Sequence, residues 1–351
     1  MTRTLACCAQ PFGYGPAAKL VVIAEELRRR GFRLAFIGDG VGHELAARSP
    51  AFDEIVRGRP SDDAVRNAVA ASVGLLSVMD RGFATLAKEL GRPLFVVDSL
   101  AWLRDAVPEP FRGAARYWVQ RFPDGAVPEG AVEVGPILGV NEGTWSGPGR
   151  GLVVNLGGGE SPDGDDPAYA EFAVRGLRDS GLTGTVLAGS RWTAWLRERF
   201  PNAGLAFESL PHEEAVRRFA TAGRVLTAPG LTASLECFRL GVPTAFLPPQ
   251  NYSQWRILRT FRRHGLAPTA FHWEDEPDAG PSPDGLPEAD RTPRVREIVR
   301  TATPAAAARF RDSLRVPSDT ALSRKQQAFF AGLGPNGVQT IVDDLTRMCH
   351  A

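Results

Sequence analysis

Residues 226–250 read LTAPGLTASLECFRLGVPTAFLPPQ and carry side chains suited to gripping an anion. An apolar run ends at Pro229-Gly230, and an amphipathic helix opens within three residues, with Thr232 and Ser234 near its start. A helix N-terminus leaves backbone N–H groups without intrahelical partners and carries partial positive charge. Hydroxyls there either cap the helix or join those N–H groups around a diphosphate. Glu236, one turn further in, either complements the helix dipole or binds a ribose diol.

Three other loops hold comparable groups. LGGGESPDG (156–164) follows an apolar run, and its glycines, Gly157 and Gly158 among them, let backbone N–H groups approach a phosphate closely. PPQNYSQW (248–255) sets the amides of Gln250, Asn251 and Gln254 after another apolar run; neutral amides suit a polyhydroxy ligand, since each donates and accepts without charge. QPFGYGPAAK, with Phe12, Gly13, Tyr14 and Gly15, opens the first helix and is a candidate for holding a second substrate.

These loops need a scaffold, and the hydrophobic pattern supplies one. Short apolar runs at 4–9, 32–40, 72–80 and 92–99 alternate with helical periodicity at 17–31, 41–48 and 82–91. Such alternation predicts βαβ units and a parallel sheet covered on both faces. After 132–140 the glycine-dense NEGTWSGPGRG interrupts the pattern. Strand-like runs resume at 151–159, 183–190, 204–210, 224–230 and 242–250, with helices between them. The expected organisation is an N-terminal Rossmann-like domain (1–140), a linker (141–150), a second Rossmann-like domain (151–335) and a C-terminal helix (336–351) returning to the first. Residues 275–294 read as a polar surface loop.

Composition narrows the function classes. A chain of 351 residues with 43% hydrophobic and 23% charged residues describes a soluble two-domain protein. Net charge of +1 gives no electrostatic case for nucleic acid or an anionic membrane. No stretch approaches the roughly 20 apolar residues of a membrane span, and the N-terminus has no signal-peptide core, so a cytoplasmic location is expected. Cys7, Cys8, Cys237 and Cys349 lack metal-ligand spacing and read as free thiols, with Cys7 and Cys8 on opposite faces of one strand. The acidic runs DGDD (163–166) and EDEPD (274–278) read as solvated loops, so no metal is expected.

In order, VEVGPILG, GLVVNLGGG and ESLPHEEAVRRFATAGRVLTAPGLTASLECFRLGVPTAFLPPQNYSQ resemble the donor-binding half of GT-B glycosyltransferases. YGPAAKLVVIAEELRRRGFRLAFIGDG is similar to their N-terminal opening, and the likeness spans roughly residues 4–270. It implies a GT-B fold, two Rossmann-like domains facing across a cleft, with a nucleotide-sugar donor, a small-molecule acceptor and no cofactor. Carried across, the resemblance places Gly157, Gly158, Gly230, Leu231, Thr232 and Ser234 at the diphosphate and Glu236 at the ribose. Leu210, Pro211 and His212 would line the base, while Gln250, Asn251 and Gln254 would meet the sugar.

The chain departs from that pattern in two places. Gly13 stands where many members have a histidine general base, and Ala228 stands where many have a histidine before the phosphate-binding helix. Asp80, the counterpart of the aspartate that orients the missing base, is the first alternative base, Asp98 the second and His43 the third. A weaker similarity of PFGYGPAAK and PPQNYSQW to cytosylglucuronate-synthase-type enzymes implies UDP-glucuronate, a cytosine acceptor and Arg256 as partner of the uronate. The expected activity is inverting, metal-independent transfer in natural-product biosynthesis. A nucleotide-sugar 2-epimerase and a catalytically silent helper are the rivals, and a homodimer is left open.

Overall fold

The computed structural model describes residues 4–123, 125–139, 143–145, 147, 149, 151–157, 166–314 and 320–350. The chain divides into two compact units, Met1–Asn141 with Leu333–Ala351, and Glu142–Gly332.

In the first unit, β1 (Thr4–Ala9), α1 (Tyr14–Arg29), β2 (Arg33–Gly38), α2 (Gly40–Ala46), β3 (Glu54–Arg57), α3 (Asp63–Ala71), β4 (Leu75–Val78), α4 (Arg81–Glu89), β5 (Leu94–Asp98), β6 (Arg116–Gln120) and β7 (Val132–Val134) follow one another. The strands form one parallel sheet in the order β3-β2-β1-β4-β5-β6-β7. Its central strands are mostly apolar because helices cover both faces, with Ser77 and Asp98 the buried polar exceptions in β4 and β5. Leu5 and Cys7 of β1 pack with Leu20, Ile23 and Leu27 of α1, whereas Ala6 and Cys8 pack with Val65, Phe83 and Leu86 on the opposite side. The two adjacent thiols do point to opposite faces, and the four cysteines are free.

The second unit runs β8 (Leu152–Gly157), α5 (Ala168–Asp179), β9 (Gly184–Ala188), α6 (Ser190–Arg199), β10 (Leu205–Glu208), α7 (His212–Thr221), β11 (Arg224–Thr227), α8 (Leu231–Leu240), β12 (Thr244–Phe246) and α9 (Tyr252–Arg263). Helices α10 (Glu288–Arg300), α11 (Pro304–Ser313) and α12 (Thr320–Gly332) complete it. Its parallel sheet has the order β10-β9-β8-β11-β12. The terminal α13 (Gly337–His350) belongs to the first unit: Asp344 accepts from Trp118 Nε1 at 3.0 Å and from Arg116 at 2.8 Å, and Val338, Ile341 and Leu345 join its core.

Several elements differ from the sequence-based expectation. Strands β3 and β6 and helices α3, α11 and α12 are not among the expected elements, and α10 occupies part of the segment expected to be loop. Helix α1 also begins earlier than expected, at Tyr14. Among the described residues, no helix is long and apolar enough to cross a membrane.

Both sheets place their functional edge by topology. The chain steps outward from β1 to β3 and then crosses back to β4; likewise it steps from β8 to β10 and returns to β11. Diverging crossovers leave a crevice beyond the carboxyl ends of the strands flanking each switch, β1/β4 and β8/β11. Gly241 ends α8 in the left-handed conformation, φ 78°, and its N–H bonds to the carbonyls of Cys237 and Phe238. The Gly-Val-Pro after the helix is therefore a stop signal.

Candidate functional site

At the β8/β11 switch the strand ends are stitched together by side chains. Asn155 Oδ1 accepts from Gly157 N at 3.1 Å, and its Nδ2 donates to Thr227 Oγ1 at 3.0 Å. Thr227 in turn donates to the Ala228 carbonyl, while Ala228 N donates to Asn155 O at 2.7 Å. Gly157 ends β8 with φ +74°, a conformation that glycine adopts without steric cost. Asn155 is a site-building residue that the sequence reading missed; its signal was a single amide inside the apolar run GLVVNLGGG. Gly158 and the loop to 165 lie outside the described residues.

Helix α8 starts at Leu231 from Gly230, which is extended, and no side chain caps it. This excludes the capping alternative for Thr232 and Ser234. Their backbone already lies inside the helix, so neither hydroxyl can reach back to the first-turn N–H groups as an N-cap does. Thr232 is buried, and Ser234 is 0% exposed with no hydrogen-bond partner on its Oγ. Glu236, also buried, accepts from His212 Nε2 at 2.6 Å, so the first residue of α7 is tied to α8. Pro211 precedes that helix as its N-cap residue, and Leu210 packs against the cluster containing Val216 and Phe219.

The amides at the start of α9 are engaged mainly with their own loop. Asn251 Oδ1 caps α9 by accepting from Gln254 N at 3.0 Å, and Gln254 Oε1 accepts from Gln250 N at 3.1 Å. Gln250 Nε2 donates to the Leu156 carbonyl at 3.1 Å, which joins this loop to the end of β8. Gly157, Gln250 and the start of α8 thus share one edge. Arg256, expected as the partner of a uronate, is engaged within the fold and 35% exposed at its side chain. Its NH1 donates to Tyr252 Oη at 3.0 Å and lies 3.7 Å from Asp284.

In EDEPD, Glu274, Asp275 and Asp278 are exposed, as expected of a solvated segment, whereas Glu276 is buried. Glu274 pairs with Arg259 at 2.8 Å, Asp275 with Arg262 at 2.8 Å, and buried Glu276 with Arg309. Asp166 accepts from Arg300 at 2.7 Å; 163–165 lie outside the described residues. The arginine-rich surface draws these carboxylates into ion pairs, and no His, Cys, Asp and Glu cluster able to hold a metal occurs among the described residues.

In the first unit, Phe12, Tyr14 and Gly15 are half-buried around the start of α1, and Gly13 is its N-cap residue with φ 69°, ψ 148°. That backbone region is essentially reserved for glycine, although a Cβ at Gly13 would meet nothing within 4 Å. Gly13→Ala and Gly13→His are therefore expected to destabilise the protein by similar amounts, about 1–3 kcal/mol, because the penalty lies in the backbone and not in side-chain size. Urea unfolding of the two variants checks this; a much larger loss for histidine would show that space is limiting.

Asp80 follows β4 and caps α4, accepting from Phe83 N at 2.9 Å. Burial raises its pKa, against the lowering effect of the Phe83 and Gly82 N–H groups. The consequence for stability has a definite sign. A raised carboxyl pKa favours folding below the ordinary value of 3.8, and that contribution is lost as pH rises through the folded-state value. Asp80→Asn, which retains an N-cap acceptor, should gain stability relative to wild type over that rising interval. Urea unfolding between pH 3 and pH 7, as about one-unit steps, reads the difference directly; a difference that stays constant with pH would contradict it.

Asp98 is a structural ion-pair member, contrary to its expected role as a base. It is fully buried, accepts from Arg104 Nε at 2.9 Å, Tyr117 Oη at 3.1 Å and Leu100 N at 2.9 Å, and has its oxygens occupied. His43 is half-buried in α2.

Neither a family model nor a curated protein sequence matches this chain. Solved structures do. Medicago truncatula UGT71G1 complexed with UDP-glucose is similar at 12% identity and TM-score 0.55, covering 98% of each chain. A Streptomyces sp. SF2575 glycosyltransferase, SsfS6, complexed with thymidine diphosphate, is similar at 15% identity and TM-score 0.56, over 97% of this chain and 98% of that one. Acinetobacter baumannii MurG is similar at 13% identity and TM-score 0.51, over 98% and 99%. With two Rossmann-like units, parallel sheets of seven and five strands, and likeness over nearly its whole length, the chain has the GT-B glycosyltransferase fold.

Proposed function

We propose that this protein transfers a sugar from a nucleoside-diphosphate donor, UDP-linked in the first instance, to a small-molecule acceptor. The observation that carries the reading is Ser234: a fully buried hydroxyl without a partner, at a helix start that no side chain caps. Uncompensated burial of a hydroxyl is unfavourable, and a diphosphate there would satisfy it together with the first-turn N–H groups. UDP-glucose and thymidine diphosphate complexes among proteins of the same fold support the same ligand class.

In this reading Gly157, Gly158, Gly230, Leu231, Thr232 and Ser234 surround the diphosphate, and Glu236 accepts from the ribose hydroxyls. His212, with Leu210 and Pro211, borders the base. Gln250, Asn251 and Gln254 shape the sugar side, chiefly by fixing the loop. As the glycosidic bond breaks, negative charge grows on the leaving diphosphate, where preorganised N–H donors and the helix end stabilise it without a metal. Asp80 is the proposed base: burial raises its basicity, and a carboxylate with raised pKa removes an acceptor proton more readily than an exposed one. The transfer is proposed to be inverting.

UDP-glucuronate with a cytosine acceptor is retained as the finer proposal, now without Arg256. Thermal shift against UDP, UDP-glucose, UDP-glucuronate and dTDP, followed by mass spectrometry of products with acceptor mixtures, tests both levels. No shift with any nucleotide would reject the donor site. A sugar altered without acceptor would favour an epimerase. Binding without turnover by the purified chain would favour the helper reading, which Gly13 in the first loop makes specific.

A further inference from the structure

The loop that carries Gln250, Asn251 and Gln254 is held at both ends by two adjacent buried side chains. Trp273 is 1% exposed and donates its Nε1–H to the Pro249 carbonyl at 2.8 Å, immediately before Gln250. His272 is 0% exposed and donates from Nε2 to the Trp255 carbonyl at 3.1 Å, immediately after Gln254. The two bonds therefore fall on the residues that flank the amides. Pro248 and Pro249 have no N–H, so a carbonyl is what this stretch offers to a neighbouring element.

The two ring nitrogens of His272 have distinct partners. Nδ1 accepts from Glu274 N at 3.1 Å, so the hydrogen sits on Nε2 and the imidazole is neutral. Burial lowers its pKa below the ordinary 6.5, in agreement with that tautomer. The charged groups that bear on the ring are Glu274 on its own turn and Arg259 and Arg262 of α9, and they pair with one another. Packing fixes both rings as well. Trp273 lies against Phe172 of α5 and against Phe271, with centroids 5.1 and 4.9 Å apart, and His272 meets Trp255 edge to face at 4.6 Å. Glu276, in the same short segment, is buried and paired with Arg309 of α11. The segment 271–276 is thus anchored in the core of the second unit and grips the amide loop from there.

We propose that His272 and Trp273 are positioning residues for the sugar of the donor, setting the affinity for the sugar portion separately from that for the nucleotide. This rests on the proposed donor site, in which Gln250, Asn251 and Gln254 shape the sugar side. Binding groups hold a ligand productively only when their own rotamers are locked by packing and by hydrogen bonds behind them. Neither His272 nor Trp273 bonds to the start of α8, where the diphosphate is proposed to sit, so loosening their grip acts on the sugar side first.

The full chain and its variants are titrated calorimetrically with UDP, UDP-glucose and UDP-glucuronate, well below their melting temperatures. Wild type should bind UDP and at least one of the UDP-sugars. His272→Leu and Trp273→Phe should each weaken that UDP-sugar about tenfold while holding UDP within about threefold of wild type, the loss of one buried hydrogen bond being felt at the loop alone. His272→Gln, whose amide N–H can again reach the Trp255 carbonyl, should recover most of the UDP-sugar affinity. Leu196→Ala, a core truncation in α6 away from the loop, supplies a general loss of stability and should leave both affinities unchanged. UDP and UDP-sugar weakened equally, an unchanged UDP-sugar affinity in both loop variants, or the same selective loss in Leu196→Ala would each assign His272 and Trp273 to the fold alone. His272→Gln no better than His272→Leu would remove the histidine bond from the proposal, and UDP binding by wild type without either UDP-sugar would overturn it. Absence of UDP binding by wild type rejects the donor site itself and this role with it, so the two failures are told apart.

Discussion

Ser234→Ala is expected to weaken UDP binding by about 10- to 100-fold while leaving the ligand-free protein as stable as wild type or slightly more so. The first half follows from the worth of a hydrogen bond to a charged group, about 1.5–3 kcal/mol. The hydroxyl lies at a helix start, where a phosphate gains from the backbone N–H groups and the dipole together. The second half follows from its unpartnered state: removing a buried hydroxyl that bonds to nothing removes a desolvation penalty and leaves only a cavity smaller than a water. Calorimetric titration with UDP and thermal melting of the apo protein give the two readings. Structural serines behave in the opposite way, losing stability without selective loss of ligand. Equal UDP affinity in the variant would remove Ser234 from the site, and a lower melting temperature with equal affinity would assign it to the fold.

The same residue shows how far sequence could be pushed. From spacing alone, Thr232 and Ser234 were equally consistent with capping and with anion binding; the choice turned on whether the helix began at Leu231 or after Thr232, a difference of a residue or two. The larger architecture was legible because doubly covered parallel strands are apolar at nearly every position, as in the Leu-Phe-Val-Val that opens β5. RYWVQ of β6 escaped because an arginine and an amide bracket its apolar centre, and EIVR of β3 because an edge strand exposes most of its side chains. Helix α10 was hidden by Pro293 within DRTPR. Side-chain destinations were the least legible. His212 and Glu236 stand 24 positions apart and meet because β11 and α8 return beside α7. Arg256 looks available in sequence, but the 283–285 turn brings Asp284 to it.

Asp98 poses the sharpest case of this kind, and its replacement carries the largest expected loss of stability. Asp98→Ala should destabilise the protein by about 3–5 kcal/mol, the range for removing one partner of a buried ion pair. The carboxylate is fully buried and Arg104 is only 13% exposed at its side chain, so deletion removes a buried counter-charge from a poorly solvated guanidinium. It also orphans Tyr117 Oη and Leu100 N, whose bonds hold the end of β5 to β6 and to the turn at Ala101–Leu103. The Tyr117 hydroxyl pKa is raised first by burial and then by this same carboxylate, so the phenol stays a donor at neutral pH. Pairing Asp98→Leu with Arg104→Met should recover part of the loss, because it removes the poorly solvated charge together with its partner. Asp98→Asn is the decisive comparison with catalysis. It keeps the shape and an acceptor but loses the charge, so it should remain folded with an intermediate loss of stability. If its turnover, measured well below its melting temperature and at saturating donor, stays near wild type, the carboxylate serves the fold. A collapse of turnover with unchanged stability would instead make Asp98 the base and exclude the structural assignment. The geometry favours the first outcome, because a base needs a lone pair facing the acceptor and the bonds to Arg104, Tyr117 and Leu100 engage both oxygens.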